Sequence, residues 1–237
     1  MIGLAMITNN AEATIRIIEK YGQYFDKYFI TVADKNKQEF YKLQKYTDDK
    51  LTVDYFKWID DFGKAREHNR SLITTDYWMW IDSDDEITHP ELLPSLVNHM
   101  SQNDLDCIYL KYNYARNELN EGIGDHWRER ILRTAHDFKW SDVPVHETVT
   151  APYAHTERSG LIEIVHVKDQ AAIDKSADRN LKLLTKHFNE TKDPRSAHYL
   201  GQTYLGKKQY KEAIGFFIEH IKNSGWPEET YRSWCKI

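Results

Sequence analysis

The stretch Tyr77-Trp78-Met79-Trp80-Ile81-Asp82-Ser83-Asp84-Asp85-Glu86 decides the reading of this chain. Five apolar residues run straight into a cluster of carboxylates. A short apolar run bounded by polar residues has the pattern of a buried strand, and here it would deliver Asp82, Ser83 and Asp84 to a turn at its carboxyl end. Working outward, the same arrangement recurs upstream. Ile2–Ile7 reads as a strand that ends at Thr8-Asn9-Asn10, and Asn10 is placed to cap a helix from about Ala11 to Tyr21. Tyr28–Val32 and Leu51–Phe56 are further β-rich runs, the former closed by Asp34. Asp61 caps a short helix through Ala65 and Leu72. Pro90 opens another, with Leu93, Leu96, Val97 and Met100 on one face. Ile108, Leu110, Tyr112 and Tyr114 alternate as in a half-buried strand.

Strands alternating with helices predict an α/β sandwich with a mostly parallel sheet. Ligands of such sheets bind beyond the carboxyl ends of the strands. Thr8–Asn10, Asp34 and Asp82–Glu86 each follow a strand, so the polar clusters fall where a ligand is expected.

From roughly Ile173 the pattern is purely helical. Ala197, Leu200, Gly201 and Tyr204 form one face. After a Gly206-Lys207-Lys208 turn, Tyr210, Ala213, Ile214, Phe217, Ile218 and Ile221 form a second, and Trp226-Pro227-Glu228 starts a third helix. The hairpin resembles a TPR unit, L-G-x-x-Y followed by Y-x-x-A-x-x-x-F. One unit cannot bury its own faces, so it is expected to pack on the α/β domain or on another chain. The domains are read as 1–170, the α/β domain, and 171–237, the helical segment.

Composition narrows the function classes. The chain has 237 residues, 41% hydrophobic and 29% charged, with a formal charge of −5 and no basic block, which argues against a general nucleic-acid binder. Its 13% of aromatic residues, 15 Tyr and 7 Trp among them, suits stacking on sugars or bases as well as core packing. Cys107 and Cys235 form neither a disulfide framework nor a zinc cluster. No apolar stretch approaches the ~18 residues of a membrane span, and the opening MIGLAMITNN has only a six-residue apolar run with no preceding charge, too short for the apolar core of a leader. The expected compartment is the cytoplasm.

Two carboxylates one residue apart, on a turn leaving a strand, can share a divalent cation and its water shell. Such oxygen-rich ligation suits Mg²⁺ or Mn²⁺ held together with substrate phosphates. Acidic turns are also common without any ion. Rival metal chemistries are testable in the sequence. An EF-hand needs Gly and Glu where Ile87 and Leu93 stand. A haloacid-dehalogenase-type phosphatase needs Thr or Val where Glu86 stands, and zinc lacks its Cys/His spacing. A cation clamping a diphosphate is what remains.

Several motifs, in order, resemble family 2 of the GT-A glycosyltransferases, in particular a bacterial and phage subgroup. They are Met6-Ile7-Thr8-Asn9-Asn10, Val32-Ala33-Asp34, Trp58-Ile59-Asp60-Asp61-Phe62-Gly63-Lys64-Ala65-Arg66, the Tyr77–Glu86 stretch, Glu129-Arg130-Ile131-Leu132-Arg133, Val143-Pro144-Val145-His146-Glu147 and Ile164-Val165-His166-Val167. Glu67 stands where the family usually has Asn, and Lys168-Asp169 stand where Gly-Tyr is common.

The resemblance implies a nucleotide-sugar site formed by Thr8, Asn9, Asn10, Asp34, Arg66, Asp82, Ser83, Arg130 and Arg133. It implies a metal held by Asp82, Asp84 and His166, with His146 the competing histidine. Arg66 could instead pair with Asp60 or Asp61, and Arg130 and Arg133 could form strand-edge salt bridges. Glu147 is the candidate general base, since inverting transfer needs a carboxylate to take the acceptor's proton, and Asp142 is the alternative. Trp127 and Trp140 are candidates for sugar stacking or for core packing.

The implied reaction is inverting transfer of a sugar from a nucleotide diphosphate, UDP-linked, to an acceptor hydroxyl or thiol, with Mn²⁺ or Mg²⁺. The helical tail suggests a protein, peptide or glycan acceptor, a partner, or a homodimer. A nucleotidyltransferase would carry a Gly-rich basic loop after the first strand, which Thr8-Asn9-Asn10-Ala11 does not provide. A non-catalytic scaffold would have no use for Asp82, Asp84, Glu147 and His166 together in the family's order.

Overall fold

The computed structural model describes residues 1–116, 122–167 and 170–237, with the side chains of 115–116, 122–123 and 170–175 left aside. The Lys168-Asp169 departure therefore lies outside the described residues. The chain forms two compact units. The first comprises Met1–Ile59, Gly63–Ser141 and Thr148–Lys168, and the second Asp60–Phe62, Asp142–Glu147 and Asp169–Ile237.

The first unit is built on a mostly parallel sheet, as the alternation of elements predicted. Its strands are β1 (Ile2–Thr8), β2 (Lys27–Asp34), β3 (Leu51–Lys57), β4 (Tyr77–Trp80), β5 (Asp85–Ile87), β6 (Cys107–Arg116), β7 (Gly122–Arg133) and β10 (Thr156–His166), in the order β3-β2-β1-β4-β7-β6-β10-β5. A separate two-stranded ribbon pairs β8 (Lys139–Trp140) with β9 (Val149–Thr150). β1, β2, β3 and β4 pair in parallel, as do β6 and β10. β7 runs antiparallel to both β4 and β6, and β5 antiparallel to β10.

Helices α1 (Ala11–Tyr21), α2 (Gln38–Leu43), α3 (Phe62–Arg70) and α4 (Leu93–Gln102) connect the strands. α1 starts where the sequence predicts: the Asn10 side chain accepts the Ala13 N–H at 3.0 Å, a cap that contributes about 1 kcal/mol.

Alternate residues of a strand face opposite sides, and the sheet has an apolar layer on each. Leu4, Met6, Ile30, Met79, Ile108 and Ile131 pack with Ile17 and Ile18 of α1 and Leu93, Leu96 and Met100 of α4. Ala5, Phe29, Trp78, Trp80, Leu132 and Trp140 form the second layer. Each buried aliphatic or aromatic side chain contributes roughly 1.5–3 kcal/mol, which is why β1 up to Ile7 and all of β4 are apolar.

The second unit is helical: α5 (Gln170–Thr191), α6 (Pro194–Gly206), α7 (Tyr210–Asn223) and α8 (Pro227–Trp234). Asp193 caps α6 by accepting the Ser196 N–H at 2.7 Å, and Pro194 occupies the first turn, where its missing N–H costs nothing. α6 and α7 form the hairpin expected across Gly206-Lys207-Lys208. Its close contact sits at Gly201, where a Cβ would lie 2.7 Å from the Phe217 ring.

Two short segments from earlier in the chain complete this unit. Val145 packs with Leu183, Leu184 and Leu200, with Phe62 against them. The Phe62 N–H donates to the Pro144 carbonyl at 3.0 Å. Among the described residues, no helix is long and apolar enough to cross a membrane.

Candidate active site

Topology brings the polar clusters of the first unit to one edge of its sheet. β1 and β4 are parallel neighbours, so Thr8 and the Asp82–Asp84 turn leave the sheet on the same side. β2 places Asp34 beside Thr8 in the same way. β10 arrives parallel to β6 and ends at His166, whose Cα partner across the β5 pairing is Asp85.

The acidic turn is organised by two arginines stacked on one indole. The Arg66 guanidinium lies 4.6 Å from the Trp80 ring centre and 5.1 Å from that of Trp140, and its Nη2 donates to Asp82 Oδ1 at 2.7 Å. Burial by itself would raise the Asp82 carboxyl, but the charges of Arg66 and Arg130 overcome that and hold it down at about 2. Asp82 is therefore an anion throughout the physiological range. Arg66 thus has in Asp82 a partner that the sequence reading does not name.

Arg130 is 1% exposed. Its guanidinium is wedged 3.8 Å from the Trp80 ring centre and 4.6 Å from that of Tyr112. Nη1 donates to the Trp80 carbonyl at 2.9 Å and lies 3.5 Å from Asp85 Oδ2. Burial pushes this guanidinium below its usual value, against the pull of Asp85, yet a guanidinium keeps its charge in proteins. The resemblance places Arg130 among the nucleotide contacts. Its burial makes it instead a fixed cation behind the acidic turn.

Asp85 is the candidate site residue that the sequence reading does not single out. In β5 it points inward, fully buried, while Glu86 points out and pairs with Lys20 at 3.0 Å. Asp85 Oδ2 accepts the Asp82 backbone N–H at 3.0 Å, and Oδ1 lies 2.9 Å from His166 Nδ1. Asp84 Oδ1 lies 3.7 Å from the same nitrogen. Asp84, Asp85 and His166 present ligand-type atoms within 4.8 Å of one another. A carboxylate that takes the Nδ1–H of a histidine fixes the tautomer and leaves Nε2 as the nitrogen with the lone pair, a common arrangement behind metal-binding imidazoles. Asp82, expected as a ligand, lies outside this group and is held by Arg66. The signal for Asp85 is its place in the unbroken acidic run after Ser83, but its inward orientation depends on a strand of only three residues.

The other expected residues divide. The Thr8 hydroxyl accepts the Asn10 N–H at 3.0 Å and the Thr14 hydroxyl at 3.0 Å, which shapes the β1–α1 turn. Asn9 and Asn10 are exposed, and Ser83 is half-buried between the two carboxylates. Asp34 uses its carboxylate locally, accepting the N–H groups of Lys37 at 2.7 Å, Asn36 at 3.2 Å and Glu39 at 3.3 Å.

Arg133 is not near the acidic turn. It is the register partner of Tyr77 at the start of β4 and bonds Asp104 at 2.7 Å. That puts it about 16 Å along the strand from Asp82 at the usual rise per residue, so the strand-edge salt bridge is its actual role. Trp140 is a core residue against Trp78 and Trp80, and Trp127 lies under Arg158 at 5.7 Å. Glu147 and Asp142 belong to the segment carried by the second unit, where Glu147 is buried. In that unit His146 stacks on Tyr199 at 3.9 Å. It is His166 that joins the acidic group.

Residues 12–151 match the profile of Glycosyl transferase family 2. No curated protein matches the chain in sequence. Among solved structures, S. aureus TarS 1-349 in complex with UDP-GlcNAc superposes with a TM-score of 0.57 at 12% identity, covering 93% of this chain and 80% of that one. TarS 1-349 in complex with UDP gives a TM-score of 0.51 at 12% identity, covering 100% and 83%. At such identity the likeness is one of fold, and that fold is the GT-A type of α/β sandwich. The profile match spans more than half of the chain and includes the acidic turn: the chain belongs to glycosyl transferase family 2 and is a glycosyltransferase.

Proposed function

We propose that the protein transfers a sugar, with inversion, from a UDP-linked donor to an acceptor hydroxyl or thiol, with a divalent cation at the acidic turn. The observation that carries this reading is the convergence of Asp84, Asp85 and His166 at the carboxyl edge of the sheet, beside the Arg66–Asp82 pair. The likeness to structures holding UDP-GlcNAc and UDP supports the choice of nucleotide.

The donor set fits the metal. Two carboxylates and one imidazole within 4.8 Å suit Mn²⁺ or Mg²⁺ and lack the thiolates that would favour zinc. Asp84 and His166 Nε2 would hold the ion, with Asp85 orienting the imidazole. The ion's contribution when bound is to neutralise the departing diphosphate. Asp82 stays ionised and is fixed by Arg66, a geometry suited to receiving ribose hydroxyls. Thr8, Asn9, Asn10, Asp34 and Ser83 lie along the nucleotide side of the same edge. Glu147 would take the acceptor proton. The helical unit would present the acceptor or a partner.

Thermal unfolding with UDP, GDP and their sugar conjugates, with and without Mn²⁺ or Mg²⁺, tests the reading. A ligand at ~100 times its Kd adds about 2.7 kcal/mol, a shift of roughly 5–10 °C for a chain of this size. A rise that needs UDP and the cation together, and that vanishes in Asp84→Ala, is expected. A folded protein indifferent to every nucleotide would overturn it.

A further inference from the structure

Beyond the acidic turn, a run of rings leads away from His166 along the β6–β7 pair. Tyr112 is 5.7 Å from His166 between ring centres, His126 is 5.5 Å from Tyr112 and edge-on to it, and Tyr114 is 5.4 Å from His126. Exposure rises along the run: Tyr112 is half-buried, His126 is exposed, and Tyr114 is 51% exposed. The inner end is rigid, because Arg130 lies 4.6 Å over the Tyr112 ring and burial drives that tyrosine's hydroxyl well above its ordinary value.

The outer end is built to hold a ring in place. A Cβ at Gly124, on the facing strand, would lie 2.8 Å from Tyr114 Cζ and 3.0 Å from its Oη. Any other residue there would displace the ring. Tyr114 therefore lies against the Gly124 backbone while about half of its surface stays exposed. An aromatic laid over a cross-strand glycine is a known way of repairing a weak sheet position. That accounts for the Tyr114–Gly124 contact alone, and not for an unbroken series of rings that reaches a candidate metal ligand.

Position on the sheet identifies the ligand. Asp34 and Thr8, on the nucleotide side, end β2 and β1. In the strand order β2-β1-β4-β7-β6, Tyr114 lies four strand steps from Asp34, roughly 19 Å at the usual spacing. The acidic turn stands between them. A group stacked on Tyr114 is thus on the far side of the diphosphate from the base, where an acceptor has to sit.

We propose that Tyr114, braced by His126 and Tyr112, is a stacking subsite for a saccharide ring of the acceptor. The negative face of an aromatic ring attracts the polarised C–H face of a sugar, while the sugar's hydroxyls stay available to polar neighbours. This subsite rests on the donor reading above.

Saturation-transfer NMR on the full chain with UDP and Mg²⁺ tests it, with methyl β-glucoside, methyl N-acetyl-β-glucosaminide and a serine-containing tripeptide as probes. Ring protons of at least one glycoside should receive saturation from the wild type. That signal should fall at least fivefold in Tyr114→Ala and stay within twofold in Tyr114→Phe, which keeps the ring. A glycoside signal unchanged in Tyr114→Ala would overturn the proposal. So would a wild type that saturates only the tripeptide, or no probe at all. The resonances of UDP in the same samples report donor binding separately, so loss of UDP binding in the wild type counts against the donor reading and is not confused with failure of the subsite.

Discussion

Nδ1 of His166 lies 2.9 Å from Oδ1 of Asp85, across the antiparallel register in which the two residues are Cα partners. The pair is 81 residues apart in sequence and is buried on the Asp85 side. Its other supports are the Asp82 N–H on Asp85 Oδ2 and the Arg130 cation at 3.5 Å. Asp85 thus connects the acidic turn, the late histidine and the buried arginine.

Asp85→Asn should lose on two counts. Orientation of a metal-binding imidazole is worth about 10–100-fold in affinity or activity, and removing one partner of a buried ion pair costs roughly 3–5 kcal/mol. Urea unfolding and a Mn²⁺ titration of activity would show both. His166→Ala should weaken the metal dependence with a much smaller loss of stability, because it leaves Arg130 and Asp85 paired. If Asp85→Asn titrates with metal like the wild type, Asp85 is not a positioning residue.

Arg66→Lys preserves charge but not the planar stack on Trp80 and Trp140 or the fork geometry toward Asp82. The donor KM should rise by about tenfold, with kcat less affected. The pH profile should change too. With its pKa held at about 2 by Arg66 and Arg130, Asp82 contributes stability that is fully present above its unfolded value near 3.8 and is lost as pH falls toward 2. In Arg66→Lys that acid limb should begin at a higher pH, readable by circular dichroism.

Glu147→Gln keeps size and polarity but cannot accept the acceptor's proton. Transfer should fall by at least a hundredfold, in line with the usual contribution of a general base, while UDP still stabilises the protein. Wild-type rates in this variant would exclude Glu147 as the base, and Asp142→Asn is the next variant to measure.

In the helical unit, a buried relay joins three helices. Gln202 donates to His198 Nε2, His198 Nδ1 donates to Ser233 Oγ at 2.7 Å, and the Ser233 hydroxyl donates to His220 Nδ1 at 2.9 Å. Glu229 Oε2 stands 3.4 Å from His220 Nε2 without a hydrogen bond between them. Arg195, Arg232 and Asp193 also act on this cluster. Burial, with His220 nearby, lowers His198 to about 4, and burial lowers His220 as well.

Both imidazoles are neutral in the fold. The stability they confer is complete above the unfolded value of 6.5 and is lost as pH falls below it, for His198 toward about 4. For His198 this amounts to roughly 2–3 kcal/mol. Glu229, raised by burial, has the opposite sign and favours the fold at low pH. The histidines should dominate, so the hydrogen-exchange protection factors of α8, corrected for the intrinsic exchange rate at each pH, should fall between pH 6.5 and 4.5. His198→Asn should flatten that dependence.

Gly201→Ala should destabilise by about 1–3 kcal/mol through overpacking against the Phe217 ring. Trimming the ring in Phe217→Leu should recover part of that loss in the double variant. Additive losses, measured by chemical unfolding, would show that the contact is not the cause.

What the residues determine locally was legible from the beginning. The apolar runs Ile2–Ile7 and Tyr77–Ile81 became β1 and β4, Asn10 capped α1, and the carboxyl ends of the strands carried the polar clusters. These outcomes depend on neighbours within a few residues, through strand alternation and side-chain caps. Tertiary structure decided the rest. Arg130 and Arg133 are three residues apart on one strand, yet one is entombed behind the acidic turn and the other is tied to Asp104 at the opposite edge. Asp82 and Asp84 form one motif, yet Arg66 holds the first and the second lies with His166. A linear boundary near residue 170 does not express a helical unit that takes in Asp60–Phe62 and Asp142–Glu147. The physical reason is the same in each case. Burial and charge pairing depend on what sequence-distant strands bring alongside a residue, and the periodicity around that residue does not contain this information.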